Sequence, residues 1–455
     1  MRFHSKAIQE HAEVPSADEG RLDALIEHYS QRGARRSAAQ SGNACYVLSV
    51  SRRGDSAEAQ LAEITGLVEA QGDRVVGAET YLLHKPDART FIRSGVAERI
   101  AAHAREAGAD MLVLDAELTP SQTRNLEDAT GLPICDREAV ILNVFERHAT
   151  TRRARMQVEI AHLEYLRPRI RGIGLNMDQQ TGGMTKARGP GETASELLAR
   201  RLDDRLAYLQ RGLTRLKSSD AAQRKRRSSA ARIVLVGYTN AGKTSLMNAL
   251  TSEQLSARDR PFETLDTTSR SVTRHGRDIV LSDTVGFIRR LPERLFASFE
   301  STLAELADAT LLLVTVDVSD PEAAQHLATT EEILQKLSAA HIDRLIVFNK
   351  LDRLAEPPAP EVLASLARGR PYMALSSRDP HGVAELRERM LAAVRDQHRL
   401  REIFVPYALS ALSARVYACC RVLKATATPR GTQFLIEGEP HVVDDIARSA
   451  RRVRP

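Results

Sequence analysis

Short apolar runs alternate with longer segments of helical periodicity between residues 44 and 150. Runs with the length and composition of strands occur at Cys45–Ser51, Arg74–Leu83 and Met111–Leu114. Helical spacing of apolar residues predicts helices at Ala57–Gln71, Gly95–Ala107 and Thr119–Gly131. This alternation is typical of a small α/β domain with a parallel sheet, which we place at residues 44–150. Residues 1–43 are polar and charged, and we predict a flexible extension there.

Two amphipathic helices follow and predict a helical hairpin at residues 151–228. Apolar positions step by three or four residues in both helices: Met156, Ile160, Leu163 and Leu166, then Leu202, Leu206, Leu209, Leu213 and Leu216. Such stripes can bury each other when the helices run antiparallel. Between them, Arg171–Gly191 contains six glycines and no apolar period, which predicts a flexible tip. The basic run Arg224–Arg227, followed by Ser228 and Ser229, predicts a linker.

Alternating strands and helices resume at residues 229–396 and predict a doubly wound sheet. The predicted strands are Ile233–Val236, Ile279–Asp283, Leu311–Val316, Arg344–Asn349 and Tyr372–Leu375. Residues 397–455 contain an apolar helix at Leu409–Ala418, two strands and another helix, which predicts a small α+β domain. The fold class is therefore multidomain α/β, with a helical hairpin between two α/β domains.

Positive charge is concentrated in one part of the chain. The 455 residues have a net charge of +6, whereas residues 151–232 alone carry nineteen Lys and Arg against eight Asp and Glu, a net +11. A basic hairpin indicates either a partner with a phosphate backbone or a solvated helix face. The four cysteines match neither a zinc site nor a disulfide framework. Because no membrane span or secretory signal is recognisable, we expect a cytoplasmic protein.

The strongest chemical motif follows the first strand of the predicted doubly wound sheet. It has the pattern GxxxxGK[ST] and comprises Gly237, Tyr238, Thr239, Asn240, Ala241, Gly242, Lys243 and Thr244, followed by Ser245. In such a loop, backbone N–H groups and the N-terminus of the next helix bind phosphate oxygens, and the lysine contacts the β- and γ-phosphates. We predict that Lys243 is catalytic and that the Thr244 hydroxyl is a Mg²⁺ ligand.

Three further motifs lie at the ends of later strands. They are Asp283-Thr284-Val285-Gly286, Asn349-Lys350-Leu351-Asp352 and Ser376-Ser377-Arg378. We predict that Asp283 holds the Mg²⁺ shell and that the Gly286 amide binds the γ-phosphate. The Asp352 carboxylate can accept two hydrogen bonds that guanine offers and adenine does not, while amides of the last motif can meet the guanine O6. Together the four motifs predict a P-loop GTPase.

A second magnesium ligand is predicted in the threonine-rich segment that precedes Asp283. The segment comprises Phe262, Glu263, Thr264, Leu265, Asp266, Thr267 and Thr268, and spacing alone does not separate its threonines. Gly286 is followed by Phe287, where many small GTPases have a glutamine that orients the attacking water. We therefore expect slow unaided hydrolysis that a partner or a bound cation accelerates. Asn240 is a candidate ligand for K⁺, and a role in shaping the loop is at least as good an explanation.

Four stretches resemble the HflX-type GTPases, a branch of translation-associated P-loop GTPases, and the resemblance extends over residues 46–455. They are Asp115–Asp128, Gln157–Tyr165, Arg188–Thr193 and Asp283–Arg289. The resemblance implies that Thr264, in a Phe-x-Thr-Leu-Asp stretch, is the second magnesium ligand and a catalytic residue. It also implies binding to the large ribosomal subunit and its rRNA in the GTP state, and the splitting or rescue of idle or stalled ribosomes.

Two functions remain open from the sequence. The first is a switch enzyme, monomeric away from the ribosome, in which GTP hydrolysis times release from the ribosome. Its catalytic residues would be Lys243, Thr264 and Gly286. The second is a nucleotide-gated rRNA-binding or ribosome-assembly factor with little intrinsic hydrolysis, and Phe287 keeps this alternative open. Ribosome-dependent turnover of GTP separates the two.

Overall fold

The computed structural model describes residues 42–52, 56–181, 194–226, 231–251, 268–273, 278–284, 286–296, 298, 306, 309–396, 399–438 and 440–451. These residues form two compact units that divide between Thr214 and Arg215, each with its own hydrophobic core. No helix in this part of the chain has both the length and the hydropathy that a bilayer crossing requires.

The first unit opens with a four-stranded parallel sheet in the order β2-β1-β3-β4. Its elements are β1 (Ala44–Ser51), α1 (Ala57–Ala70), β2 (Arg74–Leu82), α2 (Ser94–Glu106), β3 (Met111–Leu114), α3 (Pro120–Thr130), β4 (Ile134–Asp136) and α4 (Arg137–His148). Every residue of β1 and β3 is buried, as expected for central parallel strands that helices cover on both faces. The strands and helices predicted for residues 44–150 are confirmed. The structure adds one strand, β4, and one helix, α4, which were not predicted.

Helix α3 shows how the local sequence defines both of its ends. The Thr119 hydroxyl accepts a hydrogen bond from the Gln122 amide at 3.2 Å, and the Gln122 side chain accepts one from the Thr119 amide at 3.0 Å. Pro120 occupies the first helical position, where its missing N–H is harmless. After the helix, Gly131 adopts φ 67°, a conformation that glycine reaches without strain.

The predicted antiparallel hairpin is formed by α5 (Arg152–Thr181) and α6 (Ala194–Arg226). Arg167 pairs with Asp203 at 2.7 Å, and Arg205 pairs with Glu159 at 2.6 Å, so the two helices run in opposite directions. The stripe residues Met156, Ile160, Leu163, Leu166, Leu202, Leu206 and Leu209 are buried. Leu213 and Leu216 are only partly buried, so the apolar seam weakens toward the end of α6.

The predicted flexible tip at Arg171–Gly191 is wrong in its first half, because α5 continues to Thr181. A glycine within a helix disfavours it by about 1 kcal/mol, but each added residue forms another backbone hydrogen bond, so Gly172 and Gly174 do not end the helix. The predicted linker also starts too early, since α6 continues to Arg226. Residues 1–41, 182–193 and 227–230 of the predicted extension, tip and linker lie outside the described residues.

A buried carboxylate joins the end of β4 to α5. Asp136 accepts hydrogen bonds from the Tyr165 hydroxyl at 3.0 Å, the Arg169 guanidinium at 2.8 Å and the Ala139 amide at 2.9 Å. The Arg169 guanidinium also lies over the Tyr165 ring, 3.5 Å from its centroid. Burial raises the pKa of Asp136, and the charge of Arg169 and the hydrogen bonds oppose this rise. This ionic cluster therefore helps to attach the hairpin to the sheet.

The second unit contains a six-stranded sheet in the order β10-β9-β8-β5-β7-β6. Its elements are β5 (Ala231–Gly237), α7 (Lys243–Thr251), β6 (Thr268–Thr273), β7 (Asp278–Asp283), β8 (Leu311–Asp317), α8 (Ala323–Lys336), β9 (Arg344–Asn349), α9 (Pro360–Ala367), β10 (Tyr372–Ala374) and α10 (Pro380–Asp396). The five predicted strands are confirmed. The chain places β7 on one side of β5 and β8 on the other, which creates the crevice where open α/β sheets bind ligands.

The edge strand β6 runs antiparallel to β7 and was absent from the sequence prediction. Its sequence, Thr-Ser-Arg-Ser-Val-Thr, contains only one strongly apolar residue, so it carries no alternating pattern. Polar and charged side chains are common on edge strands, where they discourage pairing with another chain.

The chain ends in an antiparallel sheet of order β11-β13-β12 with two helices. Its elements are β11 (Arg399–Pro406), α11 (Ser410–Cys419), β12 (Arg421–Thr428), β13 (Gly431–Gly438) and α12 (Pro440–Arg451). The prediction of two strands is wrong by one. Most of the edge strand β12 is exposed, so burial does not impose a clear alternation on it. Val416, Val443 and Phe434 are among the core residues.

The Asp136 cluster generates a stability prediction. Arg169→Met leaves a buried carboxylate without its cation and should lower the local opening free energy of α4 by about 3 kcal/mol. Arg167→Met, two residues away, removes a half-exposed ion pair with Asp203 and should lower the local opening free energy of α4 by less than about 1 kcal/mol. Hydrogen exchange of α4 peptides measures both losses. Equal losses in the two variants would contradict the assigned role of the cluster.

Candidate nucleotide-binding site

The predicted phosphate loop joins β5 to α7 at the carboxyl end of β5, a central strand of the six-stranded sheet. Three of its residues have positive φ values, Gly237 with 148°, Asn240 with 60° and Gly242 with 88°. A Cβ atom at Gly242 would lie 2.3 Å from Nδ2 of Asn349, so a side chain does not fit there. The glycine thus allows the loop to approach the end of β9 closely.

Lys243, the first residue of α7, is buried within this loop. Its Nζ donates hydrogen bonds to the carbonyl oxygens of Gly237 at 3.1 Å and Tyr238 at 2.8 Å. Burial lowers the pKa of Lys243 to about 8, which the nearby Asp283 carboxylate opposes and Lys350 reinforces. The ammonium is therefore held in a dehydrated place where an anionic ligand would stabilise it.

The predicted magnesium ligands Thr244 and Asp283 lie together. The Thr244 hydroxyl donates a hydrogen bond to Oδ2 of Asp283 at 2.8 Å, and Asp283 is fully buried at the end of β7. The next residue, Thr284, donates from its hydroxyl to the Leu235 carbonyl at 2.7 Å and so attaches the motif to β5. Hydroxyl and carboxylate oxygens are the ligands that a hard cation prefers, so this pair fits a magnesium site.

The backbone after this pair lies directly against the phosphate loop. A Cβ atom on Gly286 would be 2.7 Å from Cα of Thr239 and 3.0 Å from Nζ of Lys243. The Phe287 amide donates to the Gly237 carbonyl at 3.0 Å, and the Thr239 amide donates to the Phe287 carbonyl at 2.7 Å. The Phe287 ring is buried. Gly286 is thus brought beside Lys243, and the residue after it offers an apolar side chain.

Asn349 connects the phosphate loop to the loop after β10. Its Nδ2 donates to the Ala241 carbonyl at 3.0 Å, and its Oδ1 accepts from the Ser377 amide at 2.9 Å. Asp352 accepts a hydrogen bond from the Ser376 hydroxyl at 2.6 Å and pairs with Arg378 at 3.2 Å. The Ser376 hydrogen bond and, to a lesser degree, the Arg378 charge lower the pKa of Asp352. The carboxylate is therefore ionised and oriented as an acceptor.

The sequence did not identify Asp317, which lies at the end of β8 opposite Asn349. Its carboxylate pairs with Nζ of Lys350 at 2.7 Å, and Lys350 has a left-handed φ of 67°. Leu351 then starts a short 3₁₀ turn that carries Asp352. An acidic residue at the carboxyl end of a parallel strand, one strand away from the Asn-Lys-Leu-Asp motif, was the signal available in the sequence.

The described part of the chain therefore brings residues of all four motifs to one edge of the sheet, and Ser245 follows in the first turn of α7. Six predicted site residues lie outside the described residues: Phe262, Glu263, Thr264, Leu265, Asp266 and Val285. Their assigned roles stay predictions.

Three family models match successive parts of the chain. The GTP-binding GTPase N-terminal model matches residues 58–146, and the GTP-binding GTPase middle-region model matches residues 148–227. A model described as a 50S ribosome-binding GTPase matches residues 232–350, which contain the phosphate loop and the Asn-Lys-Leu-Asp motif.

Relatives named GTPase HflX extend the similarity. The relative from Spirochaeta thermophila is 42% identical over 328 residues, covering 70% of this chain and 80% of its own. The relative from Magnetococcus marinus is 34% identical over 401 residues, covering 88% and 92%. The chain belongs to the HflX family of GTPases. As an HflX-family member it is a GTP hydrolase, and the predicted α/β fold class is confirmed.

Among solved structures, the crystal structure of a GTP-binding protein from Sulfolobus solfataricus in complex with GDP is similar to the HflX-family chain. It is 22% identical, covers 78% of this chain and 99% of its own, and has a TM-score of 0.43.

The depressed pKa of Lys243 predicts how nucleotide affinity depends on pH in this HflX-family protein. Only the charged ammonium attracts phosphate, so GDP affinity should be complete below about pH 7 and should fall toward tenfold per pH unit above about pH 8. Lys243→Gln should bind more weakly and show a flatter profile over the same range. Fluorescence titrations with GDP between about pH 6.5 and about pH 8.5 measure both. If the affinity of the wild-type protein for GDP did not change across that pH range, Lys243 would be fully charged in the free protein.

Proposed function

We propose that the chain binds GTP in the crevice after β5 and hydrolyses it to control its attachment to the large ribosomal subunit. The observation that carries the proposal is the position of Asn349, whose side chain bonds both the phosphate loop and the loop that follows β10. The element that would bind phosphates and the element that would recognise the base are therefore held at a fixed separation. Such pre-organisation favours one whole nucleotide over its fragments.

In this proposal the residues act in the roles that the sequence predicted. The loop from Gly237 to Ser245 binds the phosphates, and Asp283 with Thr244 and Thr264 holds Mg²⁺. Bound Mg²⁺ would neutralise charge on the phosphoryl group. Lys243 contacts the β- and γ-phosphates, and the Gly286 amide binds the γ-phosphate. A Cβ atom on Gly286 would lie only 3.0 Å from Nζ of Lys243, and this proximity supports the assignment of Gly286 to the γ-phosphate.

Recognition of guanine is assigned to Asp352. Ser376 fixes one carboxylate oxygen, and the pair with the exposed Arg378 can open to admit the N1–H and amino group of the base. Hydrogen bonds to an ionised group contribute about 1.5–3 kcal/mol each, so two of them discriminate strongly against adenine. The amides of residues 376–378 would face the guanine O6.

Exchange of the Asp352 carboxylate tests this assignment. Asp352→Asn replaces one acceptor oxygen by a donor, so GDP affinity should fall by at least about a hundredfold while xanthosine diphosphate affinity rises. Arg378→Ala provides the control, because it removes the neighbouring charge and keeps the acceptor, and GDP should still be preferred. Competition titrations with GDP, ADP and xanthosine diphosphate give the order. Preference for ADP in the wild-type protein, or binding of neither GDP nor ADP, would refute the proposed function.

The large ribosomal subunit is the proposed partner, and a role there places the protein in the cytoplasm. Two observations support this: the chain contains a 50S ribosome-binding GTPase match, and α5 and α6 lie in the most basic part of the sequence. Exposed arginines such as Arg211 would contact rRNA phosphates.

We further propose that the chain is monomeric off the ribosome. Its proposed functional segments are residues 1–43, 44–150, 151–228, 229–396 and 397–455.

The source of hydrolytic stimulation is proposed to be the ribosome, because the buried Phe287 ring cannot orient water. The same observation keeps the second function open, a nucleotide-gated rRNA-binding or assembly factor with little hydrolysis. Potassium is a further proposed activator. Asn240 is exposed and left-handed in the phosphate loop, where its side chain could coordinate K⁺ beside the phosphates.

Charge reversal on the hairpin tests the partner. Arg211→Glu should weaken binding to large subunits and reduce the salt slope of binding by about 0.7–0.9 per lost phosphate contact. Arg389→Glu in α10 reverses an exposed charge outside the hairpin and should leave binding unchanged. Sedimentation with a non-hydrolysable GTP analogue at several salt concentrations measures both variants. Equal binding of all three proteins would contradict a role for the hairpin in rRNA binding.

GTP turnover with and without large subunits, in K⁺ and in Na⁺, separates the two functions. A switch enzyme should be stimulated by the subunits. Turnover that subunits do not change would favour the binding factor, and equal rates in K⁺ and Na⁺ would remove potassium from the proposal.

A further inference from the structure

A side-chain cluster outside the four motifs lies against the phosphate loop. The Tyr238 ring stacks on the imidazole of His326, with ring centroids 3.8 Å apart and planes inclined by 12°. His326 belongs to the first turn of α8 and is partly buried. Its Nδ1 lies 3.7 Å from the Asp320 carboxylate. One residue of the phosphate loop is thus packed on a helix that has no assigned part in nucleotide chemistry.

Arg289 connects this cluster to the segment that contains Gly286. The Arg289 amide donates a hydrogen bond to the Tyr238 hydroxyl at 3.0 Å. Its guanidinium pairs with Glu322, which precedes α8, and lies 3.5 Å from Nε2 of His326. The same short segment therefore contacts both the phosphate loop and the start of α8.

The segment from Gly286 to Arg289 is consequently fixed at two points. Phe287 is held by its two backbone hydrogen bonds to Gly237 and Thr239. Arg289 is held by the Tyr238 hydroxyl and by Glu322. Tyr238 can serve as the second anchor only while its ring keeps its orientation, and the stack on His326 restricts that orientation. An amide that must meet a phosphate oxygen within hydrogen-bond distance depends on such restraint.

We propose that His326 is a positioning residue for the γ-phosphate contact of Gly286, acting through Tyr238 and Arg289. The inference rests on the proposed GTP site and adds to it a residue of α8. Because GDP lacks the γ-phosphate, the network should affect the binding of GTP more than the binding of GDP. His326 is therefore a determinant of the preference between the two nucleotides.

Substitution of the imidazole tests the proposal. His326→Ala removes the stack and should raise the Kd of a non-hydrolysable GTP analogue about fivefold, with the Kd of GDP changed less than about twofold. His326→Phe keeps an aromatic face for Tyr238 and should restore most of the lost affinity. Gln325→Ala alters an exposed neighbour on the same helix turn and serves as the matched control. Fluorescence titrations with both nucleotides give the affinities, and thermal unfolding shows whether each variant is folded.

Three outcomes separate this inference from the proposed function. A selective loss of GTP-analogue affinity in His326→Ala, with rescue by His326→Phe, supports the positioning role. Equal loss for GDP and the analogue, no loss for either, or no rescue would overturn it while the GTP site stands. Failure of the wild-type protein to bind guanine nucleotides would instead remove the proposed function on which the inference depends.

Discussion

The burial of one lysine ammonium is the interaction on which the nucleotide site depends. Lys243 is held by the carbonyls of Gly237 and Tyr238 in a place that lowers its pKa to about 8. Removing a cation from water is unfavourable, and two neutral carbonyls compensate only part of that loss. A bound phosphate supplies the stabilisation that the carbonyls do not. The unfavourable burial of the Lys243 ammonium in the free protein therefore increases the affinity of the site for an anion. The fold maintains this because β5 and α7 fix both ends of the loop.

Parallel strand geometry explains why four motifs that are far apart in sequence lie together. The carboxyl ends of β5, β7 and β9 meet at one edge of the sheet, and Asn349 then bridges from Ala241 to Ser377 across it. A motif displaced by one residue along its strand would point to the opposite face of the sheet. Each motif therefore has to lie at the end of its strand. Because the motifs lie at predicted strand ends, the sequence was enough to predict the α/β fold and the end of the sheet that carries the site.

Other features escaped prediction for identifiable reasons. The extension of α5 to Thr181 depends on helix propagation through Gly172 and Gly174, which outweighs a local glycine signal. The edge strand β6 has only one strongly apolar residue and the edge strand β12 is mostly exposed, so neither carries a clear alternating pattern. The stack of Tyr238 on His326 joins residues 88 positions apart that share no periodic pattern. Contacts of this kind are set by tertiary packing, which a single sequence shows only when a motif marks both partners.

The segment after Gly286 is held in place by a network of internal contacts. Phe287 is held by two backbone hydrogen bonds, Arg289 by the Tyr238 hydroxyl, and Tyr238 by the ring stack. At about 1 kcal/mol each, these four interactions sum to about 4 kcal/mol. Because this network fixes the backbone beside Gly286, less of the binding energy of the γ-phosphate is needed to order the segment. A partner that accelerates hydrolysis then need not order this segment, but it must orient the attacking water, which the apolar side chain of Phe287 cannot do.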